Sequence, residues 1–96
     1  MTKDEIIKLL REHRADLERL DVKSLALFGS VARGEAGKNS DVDFLVEFSG
    51  KATFDRYMTL KLLLEDLLGR PVDLITQKAL RPQMRPEVEK EAVNVA

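Results

Sequence analysis

There is no cysteine among the 96 residues, so neither a disulfide framework nor a cysteine-ligated zinc site is open to this chain. No apolar run extends beyond a few residues, which excludes a membrane-spanning helix. The opening Met1-Thr2-Lys3-Asp4-Glu5 runs straight into a charged amphipathic pattern and lacks the apolar stretch of a signal peptide. The expectation is a cytoplasmic protein without a membrane partner. Charge of one sign is not in excess either: 16 Lys and Arg stand against 17 Asp and Glu, for a formal net charge of −1. A protein that grips a nucleic-acid backbone carries a basic face, because it replaces counterions at several phosphates. None is evident here, which argues against direct nucleic-acid binding. Internal repeats, low-complexity segments and linkers are also absent. What remains, 44% hydrophobic and 34% charged, is the composition of a soluble globular protein. At this length it makes one domain over residues 1–96, with a core but no room for a separate substrate-binding module.

Periodicity then sets out the elements. Over residues 3–20, Ile6, Ile7, Leu10, Leu17 and Leu20 recur at helical spacing, and Thr2 or Asp4 can cap the start. Residues 23–28 read as a short buried strand that ends at Gly29. Residues 30–34 read as a helical turn, and 35–40, with Gly37, Asn39 and Ser40, as a polar loop. Residues 41–48 alternate: Val42, Phe44, Val46 and Phe48 share one face, while Asp41, Asp43, Leu45 and Glu47 share the other. The first face is to be covered by helices and the second is at least partly open. Residues 53–68 form the strongest helix pattern, with Thr53 as its N-cap and Gly69 as its stop. Residues 71–76 make a third strand, with Val72 and Leu74 on one side and Asp73 and Ile75 on the other. A last helix is expected over 86–93, Pro86 being suited to its first turn. The order α-β-α-β-α-β-α describes an α/β domain, a small mixed three-stranded sheet with helices on one face.

The second and third strands are joined by a long helix, as a parallel pair requires. Parallel pairing brings Asp41, Asp43 and Asp73 to one end of the sheet. An antiparallel pair would put Asp73 at the far end of the second strand, roughly 20 Å away at about 3.3 Å per residue. Three carboxylates so placed repel: a pair about 4 Å apart costs roughly 4 kcal/mol at an effective dielectric near 20. Such a cluster calls for cations, protonation or open water, and Mg²⁺ is the natural partner, being hard and retaining phosphate ligands. Two ions held by Asp41 and Asp43 would suit attack at the α-phosphorus of a nucleotide, with Asp73 ligating the catalytic ion and taking the proton of an incoming hydroxyl. Gly29 lets backbone approach phosphates closely, and Ser30 can offer its hydroxyl and N–H at the start of a helical turn. Arg33 fits either a phosphate contact or an ion pair with a neighbouring acid.

Leu27-Phe28-Gly29-Ser30-Val31-Ala32-Arg33-Gly34, followed by Ser40-Asp41-Val42-Asp43-Phe44-Leu45-Val46, resembles the minimal nucleotidyltransferase (MNT) family of the DNA polymerase β superfamily. The likeness covers nearly the whole chain, including Asp73 within Pro71-Val72-Asp73-Leu74-Ile75, and nothing departs from it at the metal positions. The C-terminal Val93-Asn94-Val95-Ala96 carries no aromatic residue, a difference that bears on partner docking and not on the metals. The resemblance implies a polymerase β-like fold and an antitoxin paired with a HEPN-type ribonuclease toxin. It further implies transfer of AMP from ATP to a tyrosine of that toxin, with release of pyrophosphate. A chain with no acceptor module and no basic face would then find its acceptor on a protein partner, as part of a hetero-oligomer with the toxin or as a homo-oligomer.

Two other functions fit the same residues: an antitoxin that acts by binding alone over a vestigial nucleotide site, and a nucleotidyltransferase acting on small molecules such as aminoglycosides. Ser40 reads as a turn or capping residue that holds Asp41 in place, and His13 as a surface residue of the first helix. The run Glu87-Val88-Glu89-Lys90-Glu91 reads as a solvated helix face.

Overall fold

The computed structural model describes residues 2–34 and 41–95. Helix α1, Lys3–Glu12, begins where Thr2 accepts a hydrogen bond from the Glu5 N–H, with Asp4 and Glu5 in the first turn and Arg11 in the last. The single helix expected over 3–20 is two. At His13 the ring Nδ1 lies 2.9 Å from the Leu9 carbonyl, the acceptor that an uninterrupted helix would give to the His13 N–H. That N–H turns to Leu10 O instead, at 3.1 Å. The chain restarts as α2, Arg14–Arg19. The break leaves Ile6, Leu10 and Leu17 all buried.

Strand β1, Val22–Phe28, leads directly into a one-turn helix α3, Gly29–Ala32. It pairs antiparallel with β2, Val42–Phe48. The long helix α4, Phe54–Leu68, is bounded as its sequence indicates: Thr53 accepts from the Arg56 N–H, and Gly69 adopts the left-handed conformation with φ 64°. It delivers the chain to β3, Val72–Thr76, which runs parallel to β2 with Val42 opposite Val72 and Asp43 opposite Asp73. A 3₁₀ turn at Gln77–Ala79 precedes α5, Arg85–Glu91, with Pro86 in its first turn.

Two details correct the expected architecture without changing its class. The last helix stops at Glu91, and Val93–Asn94 forms a fourth strand, β4, antiparallel to β1 with Leu27 opposite Val93. The sheet is therefore four-stranded, in the order β3-β2-β1-β4. The helical pattern loses here because the outer edge of β1 offers main-chain partners, including the Leu25 carbonyl that accepts from Val95 N–H at 2.8 Å. Val93 and Val95 are β-branched and suit extended backbone. The helices also lie on both faces. One face carries the main core, where Leu25, Leu27, Val42, Phe44, Val46 and Leu74 pack with Ile6, Leu10, Leu17, Leu60 and Leu64. On the other, Phe28 and Leu45 are covered by Leu80 and by Val88 of α5. Leu45 shares its strand face with Asp43, so this second face is half apolar cover and half acidic opening.

Candidate active site

The acidic opening is built where β1 ends. Asp43 is opposite Phe28 in the antiparallel register and opposite Asp73 in the parallel one. In-register neighbours on parallel strands leave the sheet on the same side, with backbones about 4.8 Å apart. Asp41 stands just before β2 and is exposed, as is Asp73, while Asp43 is half-buried. The parallel pairing expected from the connecting helix thus holds, and it brings the second and third strands' carboxylates together.

Gly29 has φ +76°, and its missing side chain is occupied by a neighbour: a Cβ at this position would overlap the Asp43 carboxylate, meeting Oδ2 first. Sequence reasoning assigns Gly29 to phosphate approach, whereas here it also makes room for the carboxylate itself. Ser30 is half-buried in α3. Asp43 is pushed above the ordinary carboxylate value of 3.8, first by burial and then by the charges of Asp73 and Asp41, while Arg33 pulls in the opposite direction. The four side chains therefore belong to one electrostatic neighbourhood. Among the described residues, no three acidic or imidazole groups converge into a ready-made metal cage. An open set of this kind still fits Mg²⁺, which takes one or two protein carboxylates and fills its octahedron with water and phosphate oxygens.

Arg33, which caps the C-terminus of α3, donates from Nη1 to Glu91 Oε2 at 2.9 Å. The ion-pair alternative for this residue is realised, and its partner was hidden in the run 87–91 read as a solvated face. Only the packing of α5 over the sheet reveals it, since the two residues are 58 apart in sequence. Ser40, with the rest of the 35–40 loop, lies outside the described residues. An open groove of about 460 Å³ flanks β3, lined by Tyr57, Leu74, Ile75, Leu80, Arg81 and Met84 among others. None of the three carboxylates lines it.

The model of the nucleotidyltransferase domain family matches residues 8–95. The chain belongs to that family. A provisionally named protein adenylyltransferase of Methanocaldococcus jannaschii is 42% identical over 98 residues, covering 98% of each chain. The protein adenylyltransferase MntA of Thermococcus cleftensis is 38% identical over 96 residues, covering 99% of this chain and 97% of its own. A solved structure described provisionally as a minimal nucleotidyltransferase is 38% identical, with a TM-score of 0.78 over 97% of this chain and 95% of that one. The same fold, at 22% identity, occurs in a toxin-antitoxin structure with AMP-PNP (TM-score 0.73, 100% and 73% covered). It recurs, also at 22% identity, in a complex of a tri-AMPylated Shewanella oneidensis HEPN toxin with its MNT antitoxin (TM-score 0.62, 97% and 67% covered). The nucleotidyltransferase family and fold are therefore those the Gly-Ser and Asp-x-Asp elements imply. No helix of the described residues is long and apolar enough to cross a membrane.

Proposed function

We propose that this chain is a protein adenylyltransferase that transfers AMP from ATP to a tyrosine hydroxyl of a HEPN-domain toxin and thereby acts as its antitoxin. The observation that carries the reading is the in-register pair Asp43 and Asp73 beside Gly29, with the Asp43 carboxylate lodged where a side chain at 29 would be. Relatives of matching length named as protein adenylyltransferases support the reaction class. The fold shared with toxin-antitoxin complexes supports the partner.

In this reading Asp41, Asp43 and Asp73 hold Mg²⁺, which when bound neutralises triphosphate charge and activates the α-phosphorus. The Gly29-Ser30 turn presents N–H groups and the Ser30 hydroxyl to the phosphates, and Arg33 adds a fixed positive charge. Asp73, exposed at the open side of the sheet, takes the proton of the acceptor hydroxyl. The acceptor oxygen then bonds to the α-phosphorus as the bond to the bridging oxygen breaks, and pyrophosphate leaves. In this reading the acceptor arrives on the partner, as the fold shared with toxin-antitoxin complexes supports.

The test is intact-mass analysis of a HEPN-domain toxin that forms a complex with this chain, after incubation with the chain, ATP and Mg²⁺. Mass gain in AMP units that is lost with Asp43→Asn is expected. A stable complex without any gain would replace transfer by inhibition through binding.

A further inference from the structure

We infer that Glu91 is a positioning residue for Arg33, holding the guanidinium in the orientation from which it meets the triphosphate. The inference rests on the nucleotide reading above and adds a residue to it. Its basis is a charge-assisted hydrogen bond of 2.9 Å that joins α3 to α5 across the second face of the sheet. The other ion pairs of this chain include local helix pairs such as Arg14–Glu18 and Arg85–Glu89, whose acids are 67% and 62% exposed. The Glu91 side chain is 29% exposed, so water screens it less.

Glu91 is also mounted rigidly. One turn earlier Val88 is buried against Phe28, Leu45 and Leu80, and Val88 O accepts from Ala92 N–H at 2.8 Å. Two residues later Val93 is paired to Leu27 of β1. The backbone that carries Glu91 is therefore held on both sides, and Arg33 follows a single turn of helix and carries a long side chain. Engagement with Arg33 supplies orientation, since a rotamer-rich side chain already held in place loses less freedom when a ligand arrives. Arg33 sits on the same turn as Ser30 and acts electrostatically on Asp43, which places it beside the phosphate-binding elements of the proposed reaction.

The experiment is equilibrium binding of AMP-PNP with Mg²⁺ to the wild-type chain, E91A, E91Q, R33A and the E91A/R33A double variant, alongside their thermal midpoints. E91A is expected to weaken binding about three- to tenfold, and the double variant to bind no more weakly than R33A alone, as coupled neighbours do. E91Q keeps an acceptor of the same length and should return binding to within about twofold of wild type. A lowered midpoint with unchanged binding in E91A makes the pair a structural brace and overturns the inference. Additive losses in the double variant, or tighter binding by E91A, overturn it as well. If E91A proves too unstable to measure, E91D replaces it. Retreat of the carboxylate by one methylene should weaken binding to between wild type and R33A, and wild-type affinity overturns the proposal. Wild-type chain that binds no AMP-PNP overturns the nucleotide reading and this inference with it, whereas wild-type binding with no response to E91A or E91D removes the inference alone.

Discussion

At Gly29 two constraints coincide, a left-handed backbone and a volume already taken by the Asp43 carboxylate. Gly29→Ala is expected to cost at least about 1–2 kcal/mol from the backbone conformation alone, and to displace Asp43 in addition. Denaturant unfolding measures the first effect and loss of AMP transfer the second. Asp43 itself works against the fold: burial and two like charges raise its pKa, so the folded chain binds that proton more tightly than the unfolded chain. The resulting stability is complete below the ordinary value of 3.8 and is lost as the pH rises through the raised one. Asp43→Asn removes this loss. In a chelator-containing buffer the variant should therefore gain on wild type as the pH climbs from 3.5 towards 7 (roughly the span above the carboxylate range), while its transfer activity disappears. Comparison of the two denaturation midpoints against pH decides it, and a constant difference would refute the electrostatic account. Mg²⁺ should close the gap at neutral pH by raising the melting temperature of wild type more than that of Asp43→Asn, because it binds the folded state only.

At the scale of elements, the geometry of the site depends on β3 staying in register with β2, and β3 is an edge strand. Its outer side is not left bare. The Tyr57 hydroxyl of α4 donates to Leu74 O at 2.6 Å, and the Val72 N–H donates to Glu65 Oε2 at 3.0 Å. One helix thus supplies both the parallel crossover and side chains that satisfy the exposed strand edge, a common need of edge strands. Tyr57→Phe should lower stability by about 0.5–1.5 kcal/mol, read as a shifted urea midpoint with unchanged slope. These pairings were not legible in the sequence. Tyr57 and Glu65 look like ordinary polar positions of an amphipathic helix until β3 is placed beside it. The caps of α4, in contrast, are written locally in Thr53 and Gly69, and the structure places them where local chemistry requires.

Across the whole molecule, α5 is what converts an open sheet face into a half-covered site. Val88 is 4% exposed and fastens the helix over Phe28 and Leu45. Val88→Ala should cost about 1–3 kcal/mol, from lost apolar burial and the gap left behind. On the proposed reading it should also weaken AMP-PNP binding, since Glu91 loses its mount while Gly29, Ser30 and Arg33 are unchanged. Unaltered nucleotide affinity in a measurably destabilised Val88→Ala chain would show that the second core does not support the site.

The alternation of residues 41–48, the caps of α4 and the long link from β2 to β3 determined the α/β class, the parallel pair and the meeting of Asp43 with Asp73. These are consequences of period, turn chemistry and connection length, all of which act over short stretches of chain. The break at His13 turns on a local contact of its ring with Leu9 that periodicity does not show, whereas the conversion of Val93–Asn94 from helix to strand, the cover that α5 lays over Leu45 and the union of Arg33 with Glu91 were decided by tertiary structure alone. The last three are contests between a local preference and a partner distant in sequence: a helix that could continue against a free β1 edge, or a solvated glutamate against a guanidinium 58 residues away. Local pattern states the preference, and only the assembled sheet supplies the partner that overrules it.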